Sequence, residues 1–317
     1  MQGFSNKFKD FPDYIIGITK EIWEDRGLGP SMKDYYHPDC VVRVPGGISQ
    51  GEAGMTQATI ETLVEFPDRT LLGEDVIWSG TPEDGMLSSH RILSTATHLG
   101  DGYFGPATGK RVQIRALADC YAKDNQISDE WLIRDNGALI KQLGFDMQDW
   151  CRAKVEGGQK PFTPDLDFDG PYLGRGNENE WGQKLEAVLK GIMAADFASI
   201  PKEFDRASHN EFAGGVTGHG HGPLDEFWMS LRSAFPAAEF KTHHVIGRED
   251  PMMPPRAAVR WSLTGTHDGW GAFGTPTGAK VHVMGNTHVE FGPWGIRRSY
   301  TLYDQTAVWM QIIAHTG

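Results

Sequence analysis

The spacing of apolar residues predicts a helix near the start of each half of the chain. Apolar residues recur at helical spacing in two such segments: Ile15, Ile18 and Ile22, then Leu185, Val188, Leu189, Ile192 and Met193. Residues at positions i, i+3, i+4 and i+7 lie on one side of a helix, so each segment would bury one face.

Strand patterns follow in the first half. Four runs are rich in β-branched and aromatic residues or alternate between apolar and polar: 69–79, 87–98, 111–123 and 126–135. Asp124 and Asn125 separate the last two runs, which is typical of a hairpin turn. A short closing helix is predicted after Asp135, ending at Gly144. Helices followed by an antiparallel meander indicate an α+β fold.

The chain contains two copies of one sequence unit. Residues 91–112 align with residues 260–281 without a gap, and eleven of these 22 positions are identical. A repeat of this length means two domains. We therefore expect a cone-shaped domain over 1–152, a Pro-, Gly- and Asp-rich linker over 153–179, and a second cone-shaped domain over 180–317. In each, a curved antiparallel sheet would wrap over N-terminal helices and leave an apolar cone for a small molecule.

Charge and composition narrow the class of protein. Forty-two acidic against thirty basic residues give a net charge of −12, which argues against a nucleic-acid partner. No run of about eighteen apolar residues predicts a membrane span, and the N-terminal residues do not resemble a signal peptide. Three cysteines stand far apart in the sequence, so we expect neither a disulfide scaffold nor a cysteine zinc site. This use of cysteine suits a reducing compartment, and we therefore expect a cytoplasmic location.

Three motifs resemble those of the SnoaL-like polyketide cyclases, within the nuclear-transport-factor-2-like superfamily. They are the turn GTHDGWGAFGTPTGAKV (265–281), the helix GPLDEFWMSLRSAFP (222–236) and the closing helix IRDNGALIKQLG (133–144). The resemblance implies a pocket between sheet and helices, and ring closure on a carbonyl-bearing molecule without metal or coenzyme. An aspartate would take a proton next to a carbonyl. Single-copy relatives pair through their sheets, so the two copies would form an intramolecular pseudo-dimer, with further homo-oligomerisation left open.

The family's acids do not fall where the resemblance leads one to expect them. On the strand before the last hairpin, the aspartate position falls on Ala118 and Thr287, with Asp119 and His288 one residue further on. On the last strand, the acid position falls on Leu132 and Thr301. Either the alignment is shifted by one residue, which would change the strand face, or both copies lack these acids.

Candidate catalytic residues are therefore drawn from the polar positions of the strands: His288, Glu290, Asp119 and Glu130. His288 and Glu290 share a strand face and could act as a base and its orienting partner. The competing interpretation is that this face is solvated or packs one sheet on the other. The second copy, with the closer turn motif, is the preferred active one.

Aromatic residues are the candidate ligand contacts: Trp23, Trp131, Tyr121, Trp261, Tyr300 and His267. His219 and His221 stand in a Gly-rich loop downstream of His209, but no carboxylate has a matching local spacing, so we predict no metal site there. Two functions remain open: a cofactor-independent cyclase, isomerase or hydratase acting on a small apolar carbonyl compound, and a non-catalytic module that binds such a compound.

Overall fold

The computed structural model describes all 317 residues. The first half contains helices α1–α5 and strands β1–β6. In chain order they are α1 Phe11–Thr19, continued by a π-helical turn Lys20–Glu24, α2 Pro30–Tyr35, β1 Tyr36–Val44, β2 Gly47–Gln50, α3 Gly51–Glu65, β3 Thr70–Thr81, β4 Gly85–Thr97, β5 Arg111–Lys123, β6 Gln126–Arg134, α4 Asn136–Leu143 and α5 Met147–Glu156.

The second half repeats this order. Its elements are α6 Glu180–Met193, α7 Ile200–Glu203, β7 Phe204–Phe212, β8 Val216–His219, α8 His221–Ala234, β9 Glu239–Arg248, β10 Arg256–Thr266, β11 Lys280–Gly292, β12 Gly295–Tyr303 and α9 Gln305–Thr316. Short 3₁₀ turns occur at Pro164–Leu166 and Phe197–Ser199. None of these helices is long and apolar enough to span a membrane.

Each half carries one six-stranded sheet. The strand orders are β2-β1-β6-β5-β4-β3 and β8-β7-β12-β11-β10-β9, so the two topologies are identical. The predicted α+β class with two similar halves is confirmed. The sheets are mixed and not wholly antiparallel, because β1 pairs in parallel with β6 and β7 with β12. The meander itself is antiparallel, as predicted.

Local sequence signals explain the ends of the meander. Asp124 and Asn125 both have positive φ, 49° and 67°, which gives the tight turn between β5 and β6. Asp135 then accepts a hydrogen bond from the backbone N–H of Ala138 and caps α4, which ends at Gly144 in the left-handed conformation. These signals place the last strand and the closing helix in a fixed relation.

The two sheets pack against each other through the faces that point away from their helices. Apolar side chains from both halves meet there in two clusters: Leu117, Ile133, Phe162, Met284 and Leu302, and Ile77, Leu87, Ile246 and Ala258. Each half keeps its own core on the opposite, helix-covered side of its sheet. Every central strand is thus buried on both faces.

The segment predicted as a linker lies along this joint. α5 extends into it, and Phe162 is buried between the sheets. Asp167 and the carbonyl of Phe168 both accept hydrogen bonds from Arg43 of the first half. Gly176 pairs with Val245 at the edge of the second sheet. The segment therefore contacts both halves, although Leu173 within it is exposed.

Candidate functional site

The first half encloses a cavity of about 360 Å³ between its sheet and helices α1 and α3. The floor is the inner face of β5, which carries only small or apolar residues there: Val112, Ile114, Ala116, Ala118 and Cys120. Ile15, Ile18 and Trp23 close it from the helix side. Most of the wall is apolar, so a polar group that enters this space loses much of its contact with water.

Four acidic residues line the cavity: Glu61, Glu65, Glu130 and Asp304. Glu130 of β6 is buried, and its Oε2 accepts a hydrogen bond of 2.8 Å from the hydroxyl of Tyr36. Burial raises the pKa of Glu130, an effect that the Tyr36 hydrogen bond and the charge of Arg134 only partly oppose. Tyr36, the first residue of β1, is itself buried, and burial raises its pKa so that it stays a neutral donor.

A histidine lies on the other side of the same floor. His90 of β4 is buried, lines the cavity and pairs with Ala118 across the sheet. Its Nε2 has no hydrogen-bond partner within the protein. Burial, reinforced by the charge of Arg91, lowers the pKa of His90 to about 3, so the ring is neutral at pH 7. A neutral imidazole can donate one hydrogen bond and accept another.

Two arginines, Arg69 and Arg134, also line the cavity, and the charge of Arg134 lowers the pKa of Glu130. Arg134 ends β6 and Arg69 precedes β3, and no carboxylate oxygen lies within 4 Å of either guanidinium. The Nε of Arg69 is buried without a partner. Burial and the nearby charge of Arg134 lower the pKa of Arg69 to about 10. Arg134 is exposed and Arg69 is half-buried, and both residues line the cavity.

The second cone is filled. Trp261, fully buried, occupies the position equivalent to Ile92 and packs against Trp228 and Phe240. A side chain at Gly285, the equivalent of Ala116, would overlap the Trp261 ring. The indole N–H donates to the Thr287 hydroxyl at 3.1 Å.

The polar groups of the first cavity are replaced at the equivalent positions of the second half. In the order Tyr36, Arg69, His90, Glu130 and Arg134, the residues there are Phe204, Ala238, Val259, Ser299 and Tyr303. The sequence favoured the second half as the active copy, whereas the structure puts the cavity in the first.

Two of the four candidate catalytic residues lie between the sheets. Asp119 Oδ2 contacts His244 Nδ1 at 2.9 Å, and Asn286 donates to Asp119 Oδ1 at 2.8 Å. His288 Nε2 lies 2.7 Å from the hydroxyl of Ser89, which also donates to Asp119. All of these side chains are buried, so the polar strand face packs one sheet on the other, the alternative raised from the sequence.

Glu290 does not orient His288. It pairs with Arg91 of the first half at 3.3 Å and with Arg298 at 3.4 Å, while the Nδ1 of His288 is buried without a partner. Of the four candidates, the structure therefore brings only Glu130 to the cavity.

The aromatic residues proposed as ligand contacts lie in three places: the cavity, the second cone and the joint between the halves. Trp23 lines the cavity, and its indole N–H donates to Thr59 at 3.2 Å. Trp261 fills the second cone. The other three aromatic side chains lie at the joint between the halves: Trp131 beside the guanidinium groups of Arg43 and Arg260, Tyr300 against Arg91, and Tyr121 against Tyr172.

The histidines of the Gly-rich turn and loop contact neighbouring residues of the second half. His267 is buried and its Nδ1 lies 3.0 Å from the hydroxyl of Thr277 within the same turn. His209 lies 3.2 Å from His219 and 2.9 Å from Glu211, whereas His221 contacts the carbonyl of Phe204. No group of three or more His, Cys, Asp or Glu side chains is arranged to hold a metal ion.

Ala118 and Leu132, where the resemblance leads one to expect acids, pair with each other and both line the cavity. The alignment thus needs no one-residue shift to reach the cavity face. Glu130 lies on that face two residues before Leu132.

Sequence reasoning missed most polar residues of the cavity, among them Tyr36, Arg69, His90 and Arg134. Glu130, Leu132 and Arg134 alternate along one strand face, so a cavity-facing Glu130 would have predicted a cavity-facing Arg134. No comparable signal existed for His90, whose strand is buried over eight consecutive residues.

A family model matches the first half of the chain. The family model described as SnoaL-like polyketide cyclase matches residues 13–143. This range contains the cavity wall from Ile15 to Leu139. No curated protein matches the chain.

Solved structures include similar chains of single-domain length. IdmH from Streptomyces antibioticus, a provisionally assigned polyketide cyclase, is 24% identical over 43% of this chain and 99% of its own, with a TM-score of 0.37. A provisionally assigned SnoaL-like polyketide cyclase from Jannaschia sp. CCS1 is 20% identical over 44% and 99%, with a TM-score of 0.37. AclR from Streptomyces galilaeus, a provisionally assigned hydroxylase, is 22% identical over 41% and 82%, with a TM-score of 0.36.

Proposed function

We propose that this chain, whose residues 13–143 match the family model described as SnoaL-like polyketide cyclase, binds a small apolar carbonyl compound in its first half and removes a proton from it. The observation that carries the proposal is the buried Glu130 carboxylate, which lines a mostly apolar cavity and accepts a hydrogen bond from the neutral Tyr36. A carboxylate with little solvation and a raised pKa is a stronger base than one in water.

Each polar group has a role in this reaction. Glu130 Oε1, which Tyr36 does not engage, takes the proton from the carbon next to the carbonyl. Tyr36 holds the carboxylate in place by donating to Oε2. The electrons of the broken C–H bond move to the carbonyl oxygen, and the neutral His90 ring donates a hydrogen bond to the enolate that forms. An intramolecular carbon–carbon bond or reprotonation at another carbon then completes a cyclisation or an isomerisation.

The second half supports the first and does not react. Its cone is occupied by Trp261, and Val259 and Ser299 stand where His90 and Glu130 stand in the first half. Asp304, which precedes α9, reaches across to line the cavity of the first half. The second half thus completes the wall of the binding site.

The test is solvent deuterium exchange at the carbon next to the carbonyl of 2-tetralone, followed by proton NMR. We expect the protein to accelerate this exchange, and Glu130→Gln to slow it by about 10²–10⁴-fold. Ser299→Ala, the equivalent position of the second half, is the control and should exchange like the wild type. The rate should fall on acidification with a midpoint above about 4.3, the ordinary glutamate pKa, because burial raises that of Glu130.

Two outcomes would overturn the assignment. Exchange by Glu130→Gln at the wild-type rate would remove Glu130 from the reaction. Binding of 2-tetralone without accelerated exchange, measured by titration calorimetry, would favour the non-catalytic binding module.

A further inference from the structure

We infer that Arg134 and Arg69 form a subsite for a carboxylate carried by the ligand. This inference rests on the proposed function, since it specifies the class of compound that the same cavity takes. Both guanidinium groups line the cavity and neither has an ion-pair partner in the protein.

The three fully buried arginines of this protein are paired: Arg43 with Asp129 and Asp167, Arg91 with Glu74 and Glu290, and Arg256 with Asp75 and Asp250. The half-buried Arg69 and Arg260 and the exposed Arg134 have no ion pair, and of these only Arg69 and Arg134 line the cavity. Burying part of a guanidinium without an anion costs free energy. The charge of Arg134 is, in addition, close enough to Arg69 to lower the pKa of Arg69. Two cations held together beside an apolar space indicate that an anion from outside completes them.

The carboxylates nearest to Arg134 do not fill this role. Glu130 is four residues away along the same strand face, about 13 Å at the backbone. Asp304 already accepts hydrogen bonds from the backbone and hydroxyl of Thr306 and from the Asn136 amide. Burial raises the pKa of Asp304 to about 6, so part of its population is neutral near that pH. Neither carboxylate lies within ion-pair distance of Arg134.

The surroundings favour a monoanion over a phosphate dianion. Glu130 and Asp304 both border the cavity, and a second negative charge on the ligand would be repelled by them. The planar fork of a guanidinium also matches a carboxylate with two parallel hydrogen bonds. The ligand therefore has an apolar body that spans the cavity, a carbonyl near Glu130 and a carboxylate near Arg134.

A matched pair of probes tests the subsite by titration calorimetry at low ionic strength: 2-naphthoate and its methyl ester. Neither has an acidic proton on carbon, so the result does not depend on catalysis by Glu130. The wild-type protein should bind the carboxylate at least tenfold more tightly than the ester. Arg134→Gln and Arg69→Gln should each weaken carboxylate binding about tenfold and leave ester binding unchanged.

The control is Arg111→Gln, which removes an exposed arginine at the start of β5 and should change neither affinity. Equal affinity of the wild type for both probes, or equal losses for both probes in the two variants, would overturn the subsite. Displacement of naphthoate by inorganic phosphate at comparable concentration would overturn the choice of a carboxylate. Failure of tetralone exchange together with a retained carboxylate preference would reject the proposed reaction and leave the subsite standing.

Discussion

The two cones of this protein have the same frame and opposite interiors. Both sheets have the same strand order, and the turn motifs around His98 and His267 are alike. Inside, the first cone holds a cavity with Glu130, His90 and two arginines on its wall, while the second is closed by Trp261. Turns, caps and strand register therefore specify the frame, and this frame tolerates either interior.

The two interiors also differ in what they contribute to stability. The cavity of the first half lacks the van der Waals contacts of a packed core, and His90 Nε2 and Arg69 Nε are buried there without hydrogen bonds. The second half shows that the same frame can be packed with apolar residues instead. Features of the first half that cost stability are therefore candidates for function.

The largest expected effect is at the filled cone. Trp261→Ala should lower the free energy of unfolding by about 3–5 kcal/mol, because it leaves a large hole in a packed core. Ile92→Ala, at the equivalent position beside the existing cavity, should cost at most about 2 kcal/mol. Urea unfolding at pH 7 measures both. Equal losses in the two variants would mean that the interiors do not differ in packing as described.

Filling the first cone should remove binding without harming the fold. The double variant Ile92→Trp with Ala116→Gly copies the Trp261–Gly285 pair of the second half. We expect its affinity for 2-naphthoate to fall about 100-fold or more, a loss of about 2.7 kcal/mol, because the indole occupies the ligand's volume. Ala116→Gly alone is the control and should still bind. Unchanged affinity in the double variant would place the ligand elsewhere.

The smallest effect concerns the pH dependence of stability. His90 is neutral when folded because burial lowers its pKa to about 3, whereas an unfolded histidine gains a proton below about pH 6.5. The wild type therefore loses stability as the pH falls below 6.5, by about 2 kcal/mol at pH 5 from this residue. His90→Val, the residue of the second half, should stabilise the protein by that much more at pH 5 than at pH 8.

Thermal unfolding at the two pH values measures this difference. His315→Val removes an exposed histidine and should give no comparable pH-dependent gain. An identical gain from His90→Val at both pH values would show that the His90 ring is not held neutral by the fold.

The sequence predicted the frame well because its signals are local. The repeat, the Asp124–Asn125 turn and the cap at Asp135 each depend on a few neighbouring residues, and the predicted runs at 111–123 and 126–135 agree with β5 and β6. The family resemblance and the fold class are confirmed.

The site could not be predicted in the same way. Both faces of β5 and β11 are buried, one under helices and the other against the second sheet, so alternation does not tell which face lines a cavity. The polar face that carries Asp119 and His288 is the buried joint. Trp261 shows the related difficulty, because an aromatic side chain in a cone can line a pocket or fill it.

The pairing of Asp119 with His244 has a consequence for how the halves recognise each other. In the repeat, Asp119 corresponds to His288 and His244 corresponds to Asp75. Two first halves joined in the same way would bury Asp119 against Asp75, and two second halves would bury His288 against His244. The first half would thus bury two carboxylates against each other if it paired with its own copy, and the second half would leave its histidines without the carboxylate that His244 now contacts. The joint therefore favours pairing between the two different halves of the chain.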